Sequence, residues 1–194
     1  MVVQAILVLL VLALLLLLVA IVAVVYALVL AQWIEVESEQ VFRPDAILWF
    51  TLVTAVIALI ATGYPVLVYH RLGGHPSTTH LGTTRLGTTA SVNHLGTHPA
   101  RDHMFKTASF RVVIFVAFMI ALIGQYMAVK AWERINLNYQ NVSFGRPVPI
   151  ASPAARVNLL RQLAEVRAGV NVAVTSLFLA VLTLLAAFIL CFVN

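Results

Sequence analysis

The chain has 194 residues, 62% of them hydrophobic and 10% charged, with a mean hydropathy of +1.00. Soluble domains are about 45–50% apolar and about 25% charged, so this composition excludes an ordinary water-soluble domain. The net charge of +5 sits in the connections between apolar runs, which points to membrane surfaces or acidic partners. No aromatic-interleaved basic patch or finger-like spacing supports a nucleic-acid partner.

Apolar runs of about 18 residues or more read as spanning helices, because a hydrocarbon core is roughly 30 Å thick. Four such runs occur, at about 2–34, 46–69, 112–130 and 169–193. The expected fold is therefore an all-α membrane protein in a single membrane domain, 1–194. Its four transmembrane helices would form an up-down bundle with a long irregular loop between spans 2 and 3.

The first run carries no charge between Ala5 and Ala31. It is too long for a signal-peptide core of about 7–15 residues and lacks a basic leader, so it reads as a span. A short acidic connection follows, with Glu35, Glu37, Glu39 and Asp45 outweighing Arg43. A connection this short makes the second span antiparallel to the first. Pro44 suits a helix start. Within the second span, Pro65 removes one backbone hydrogen bond and predicts a kink, with the Thr62 hydroxyl available to a freed carbonyl.

The polar segment 70–111 holds all six histidines. Leu-Gly units begin at Leu72, Leu81, Leu86 and Leu95, interleaved with Thr, Pro and the basic residues Arg71, Arg85 and Arg101. Such a composition predicts irregular chain without a core of its own. Imidazole is a common metal ligand, which makes His75, His80, His94, His98 and His103 the candidate ligands of a zinc or copper site. They lack helical His-x3-His spacing, and Asp102 is the only nearby carboxylate, so no metal or other cofactor is expected. The leucines and arginines are read instead as a partner-contact strap. Protonation of the histidines below about pH 6 keeps a metal- or pH-sensor as a rival reading.

The third span is bounded by Arg111 and Lys130 and contains one strongly polar residue, Gln125. A turn-rich connection is expected next, signalled by Asn136, Asn138, Gly145, Pro147 and Pro149. Ser152-Pro153 reads as an N-cap with proline at the first helical position. From there, residues 153–168 predict an amphipathic helix continuous with the fourth span. Val157, Leu160, Leu163 and Ala164 would share one face, with Arg161 and Glu165 paired one turn apart.

Trp33, Trp49 and Trp132 fall at the ends of three spans that an up-down fold brings to one membrane face, where aromatic belts form. Small residues recur at steps of three and four: Ala173, Ser176, Ala180 and Thr183 in the fourth run, Ala117, Ala121 and Gly124 in the third. Lipid gives helices no hydrophobic reason to associate, so these stripes are the expected packing faces of a left-handed bundle.

Cys191 is the only cysteine, which excludes an intrachain disulfide and a Cys-based metal knuckle. No ionisable residue lies within the core of any predicted span, as proton relays and ion pathways require. No triad, phosphate cradle or carboxylate pair is visible either. These absences point to a non-enzymatic integral membrane subunit that anchors a larger assembly, such as an organellar complex or a virion membrane. Its partners would be membrane lipid, including structural lipids, and other subunits. A small oligomeric channel or carrier is the rival class.

Sidedness is weakly encoded. Five Lys and Arg residues lie on the side of segment 70–111 and seven opposite, whereas the net charges are +4 and +1. Asn141-Val142-Ser143 is a glycosylation sequon on the second side. The Lys and Arg count does not decide. The net charge and the sequon are what place the termini and segment 70–111, as an expectation, on the cytosolic, matrix or stromal side.

Overall fold

The computed structural model describes residues 2–32, 45–73, 107–144 and 153–193. They form four helices: α1 (Val2–Gln32), α2 (Asp45–Gly73), α3 (Ala108–Ser143) and α4 (Pro153–Val193). All four are long and apolar enough to cross a membrane. In hydrocarbon every backbone N–H and C=O must be satisfied within the segment, and a continuous helix does this whatever the intrinsic preference of its valines and isoleucines.

Each helix buries one seam in which steps of three and four alternate. In α1 the seam runs Ile6, Leu10, Ala13, Leu17, Ala20, Val24, Ala27 and Ala31. In α2 it runs Leu48, Thr51, Ala55, Ala58 and Thr62. In α3 it starts at Ile114 and passes through Ala117, Ala121, Gly124, Ala128 and Ala131 to Ile135. In α4 it extends from Leu163 to Cys191 through Ala173, Leu177, Ala180 and Leu184. This is the 3.5-residue repeat that keeps one stripe facing its neighbours.

Helix α1 packs against α2 and α4, and α3 packs against α2 and α4. Gly63 of α2 lies by Leu14 of α1, Gly124 of α3 by Thr54 of α2, and Gly169 of α4 by Ala23 and Ala27 of α1. Near the other end the Tyr64 and Phe110 rings sit 6.4 Å apart, and those of Phe115 and Phe188 5.4 Å apart. Early residues of each helix thus meet late residues of its neighbours. One buried cluster contains Ile6, Leu10, Ile114 and Leu184. A second contains Leu28, Leu48, Ile135 and Leu163.

The third helix is longer than the hydropathy pattern predicts. The turn-rich connection expected after Lys130 is helical through Ser143, with Asn136 and Asn138 inside it. Weak helix formers yield here to packing, because Ala131, Ile135 and Val142 continue the buried seam and join Leu163 and Val166 of α4. The segment expected to be loop at 70–111 also loses its ends to helix, since α2 runs to Gly73 and α3 begins at Ala108.

Helix α4 runs unbroken from Pro153, as its sequence predicts, but its first buried face differs. Of the expected face, Leu163 is buried and Leu160 packs half-buried on the same cluster, whereas Val157 and Ala164 are exposed and Leu159 and Val166 turn inward. Pro65 lies inside a continuous α2. The carbonyl it frees belongs to Ala61. The Thr62 hydroxyl does not take that carbonyl and donates instead to Ala58 O at 2.7 Å.

Candidate functional site: the α3–α4 stub

Thr54 faces Gly124, so the start of α2 nine residues earlier, at Asp45, comes beside Glu133 of α3. Ala27 meets Gly169, so the end of α1 five residues later, at Gln32, comes beside Ala164 of α4. Among the described residues, α3 and α4 continue together past those points as a two-helix stub about 15 Å long at 1.5 Å per residue.

The buried cluster that α3 and α4 share with Leu28 of α1 and Leu48 of α2 continues into the stub, which adds a polar joint. Val142, Tyr139 and Leu159 pack with Leu163. At its tip the Arg156 guanidinium reaches back from the first turn of α4 to the last carbonyls of α3. Its Nε and Nη2 donate to Val142 O at 3.0 and 2.7 Å, and Nη2 also donates to Ser143 O at 2.9 Å. The last four carbonyls of a helix have no partner within it and form the negative end of its dipole, so a forked cation is well matched there. The Phe144 N–H closes the same turn by donating to Gln140 O at 2.8 Å. Farther down, the Arg167 guanidinium lies 5.4 Å from the Tyr139 ring centroid. The joint thus fixes one helix end on the other.

Arg156→Ala is expected to cost about 1–2 kcal/mol, the range for charge-assisted hydrogen bonds at a partly solvated site. The check is the thermal midpoint in mild detergent. Arg156→Lys should recover less than half of the loss, because one ammonium cannot hold two carbonyls in a fork. Arg161→Ala, which removes an 82% exposed partner of a 3.5 Å pair with Glu165, should leave the midpoint unchanged.

The packing residues singled out in the sequence stand in the interior. Ala117, Ala121, Ala173, Ser176 and Ala180 are buried, and Gly124 lies against α2. Thr183 is half-buried, with its hydroxyl on Ala180 O at 2.9 Å. Thr51 and Thr62 are buried, and their hydroxyls donate to backbone carbonyls of their own helix. Trp49 is half-exposed, whereas the Trp132 indole N–H is enclosed without a partner, as is the Gln125 Oε1. Asn141 is half-buried in the last turn of α3, a setting unlike the surface loop expected of a sequon.

Arg71 is exposed in the last turn of α2, and Leu72 follows it on the same helix. Leu81, Leu86, Leu95, Arg85, Arg101 and the candidate ligands His75, His80, His94, His98 and His103 lie outside the described residues, as do Trp33, Pro44 and Ser152. Among the described residues no three His, Cys, Asp or Glu side chains stand together.

The α4 half of the stub is legible in the sequence as the amphipathic stretch 153–168; the α3 half is not, because Asn136 and Asn138 read as turn formers. The signal that finds it is the step pattern Ala128, Ala131, Ile135, Tyr139, Val142, in steps of three and four. No protein-family model, curated protein or solved structure matches this chain.

Proposed function

We propose that the protein is a non-enzymatic integral membrane subunit that anchors and cements a larger assembly, with the α3–α4 stub as one of its grips. The four helices cross the membrane alternately up and down, with α1 and α2 joined on the stub side. Segment 70–111 and both termini lie on the cytosolic, matrix or stromal side, and the stub lies on the other. Structural lipids fill the outer grooves. The basic Leu-Gly segment acts as a second grip.

The observation that carries this reading is the stub itself. Two helices continue past their neighbours, locked at the tip by Arg156, and display Val157, 65% exposed, beside Arg161. Rigid, partly apolar and basic surface away from the spans is what a docking subunit presents to a partner. The spans support the reading from the other side. Their buried hydroxyls are turned to their own backbone, an arrangement that suits packing rather than a polar passage.

The test is recovery of the tagged protein from its native membrane in mild detergent, followed by identification of stoichiometric companions. Other chains are expected at fixed ratio. A lone chain, or copies of this chain alone, would overturn the assembly reading.

A further inference from the structure

A second heptad stripe runs along α3 on the side away from its buried seam. Its alternate positions are Val116, Ile123, Lys130, Leu137 and Phe144, interleaved with Val112, Met119, Tyr126, Glu133 and Gln140. Within the span, apolar residues on this face need only lipid to explain them. Beyond Lys130 they need another reason, because the stub continues the stripe with Leu137 at 57% and Phe144 at 82% exposure. Neither touches the interior of the stub, whose core lies on the opposite side of α3.

We infer that this stripe is the seam of a parallel homodimer, α3 against α3 of a second copy, from Val112 to Phe144. The seam would be about 48 Å long at 1.5 Å per residue. Two copies with the same orientation in one membrane present α3 in parallel about a two-fold axis, so each stripe position meets itself. The stripe suits that geometry. Val116 and Ile123 are β-branched at the position where two-stranded parallel seams favour such residues. Lys130 is the single charged residue in that series, the kind of placement that fixes register and strand number at some cost in stability.

The two-fold sets each Lys130 opposite its copy, and the neighbouring Glu133 residues offset that repulsion. Lys130 lies 2.8 Å from Glu133 on its own helix, with both side chains nearly half-exposed. In the pair, each lysine also has the glutamate of the other copy one turn away. Gln140 carries both a donor and an acceptor and can pair with its own copy. A heterologous helix would have to supply these matches independently, whereas a second copy supplies them by symmetry. The α4 face with Val157 and Arg161 stays free for other chains.

The inference rests on the transmembrane placement proposed above, and the experiment separates the two. Single cysteines are placed at Leu137, Gln140, Phe144 and, as an off-seam control, Arg161, each in a Cys191→Ala background, which removes the one native thiol. Native membranes are oxidised with copper phenanthroline after co-expression of two differently tagged copies. The expected result is a species of twice the 21.2 kDa chain mass carrying both tags, at least fivefold more abundant for the three seam positions than for Arg161→Cys. Equal yield at Arg161→Cys, or an adduct containing a different chain, overturns the homodimer. The same cysteines are treated with a membrane-impermeant maleimide on intact and opened vesicles. Labelling without cross-linking removes the dimer and leaves the stub outside the hydrocarbon. Protection from label without cross-linking removes both.

Discussion

Gly169→Leu is expected to disrupt the α1–α4 contact and cost about 3 kcal/mol or more, the upper range for overpacking a closed interface. A Cβ at Gly169 would already lie 3.3 Å from Tyr26 Cδ1, 3.4 Å from Ala27 Cβ and 3.5 Å from the Ala23 carbonyl oxygen. Two of those neighbours can hardly yield. One is backbone and the other is the stub of an alanine in the seam. Leucine adds three more heavy atoms in that direction, so the axes must separate. Small residues are what allow membrane helices to approach closely, and dispersion gained at that distance is the main attraction available in lipid.

Gly124→Leu should do the same between α2 and α3, where the Cβ would meet Thr54 Oγ1 at 3.0 Å. That hydroxyl is held on Phe50 O and Thr51 O at 2.8 and 3.0 Å, so it has little freedom to retreat. Gly63→Ala is the control, since its Cβ would find only Leu14 Cδ2 at 3.8 Å. Unfolding in rising dodecyl sulfate, followed by circular dichroism, measures all three. Near-equal midpoints for Gly169→Leu and Gly63→Ala would contradict the packing described.

Ile135→Ala tests the stub with comparable force. Ile135 is fully buried, in the cluster that joins α3 to Leu163 and Val166 of α4. Large-to-small changes at such sites cost about 2–5 kcal/mol, through lost transfer energy plus a cavity. On the placement proposed above the stub stands in water, so the full hydrophobic term applies there. Leu137→Ala, two residues on and 57% exposed, should cost far less in the monomer. Amide hydrogen exchange across 130–143 reads the difference directly. Faster exchange is expected for Ile135→Ala and not for Leu137→Ala measured as a dissociated monomer. Equal effects would mean that 130–143 is not packed as a helix against α4.

The four long apolar helices of the described residues were legible from the sequence because lipid leaves a chain few alternatives. Continuous runs without charge, such as Ala5 to Ala31, read directly as spans. The alanine stripes were legible for a related reason, since close approach without a hydrophobic drive restricts the residues that fit. What escaped was governed by water and by tertiary contact. Asn136 and Asn138 have weak helix propensity, and only the seam through Ile135 and Val142 holds them in α3. Val157 and Ala164 fit an amphipathic wheel drawn for a straight isolated helix. The approach of α3 instead turns Leu159 and Val166 inward. The Arg156 fork could not be read from spacing, because it depends on where the end of α3 lands.

Photo-crosslinking from the stub in the native membrane tests the central claim most directly. A photoreactive residue at Val157 or Arg161 should give discrete adducts with other chains. One at Leu67, 65% exposed on α2 far from the stub, should give lipid adducts only. Discrete protein adducts from Leu67 and none from either stub position would contradict the account of the stub as the part that grips.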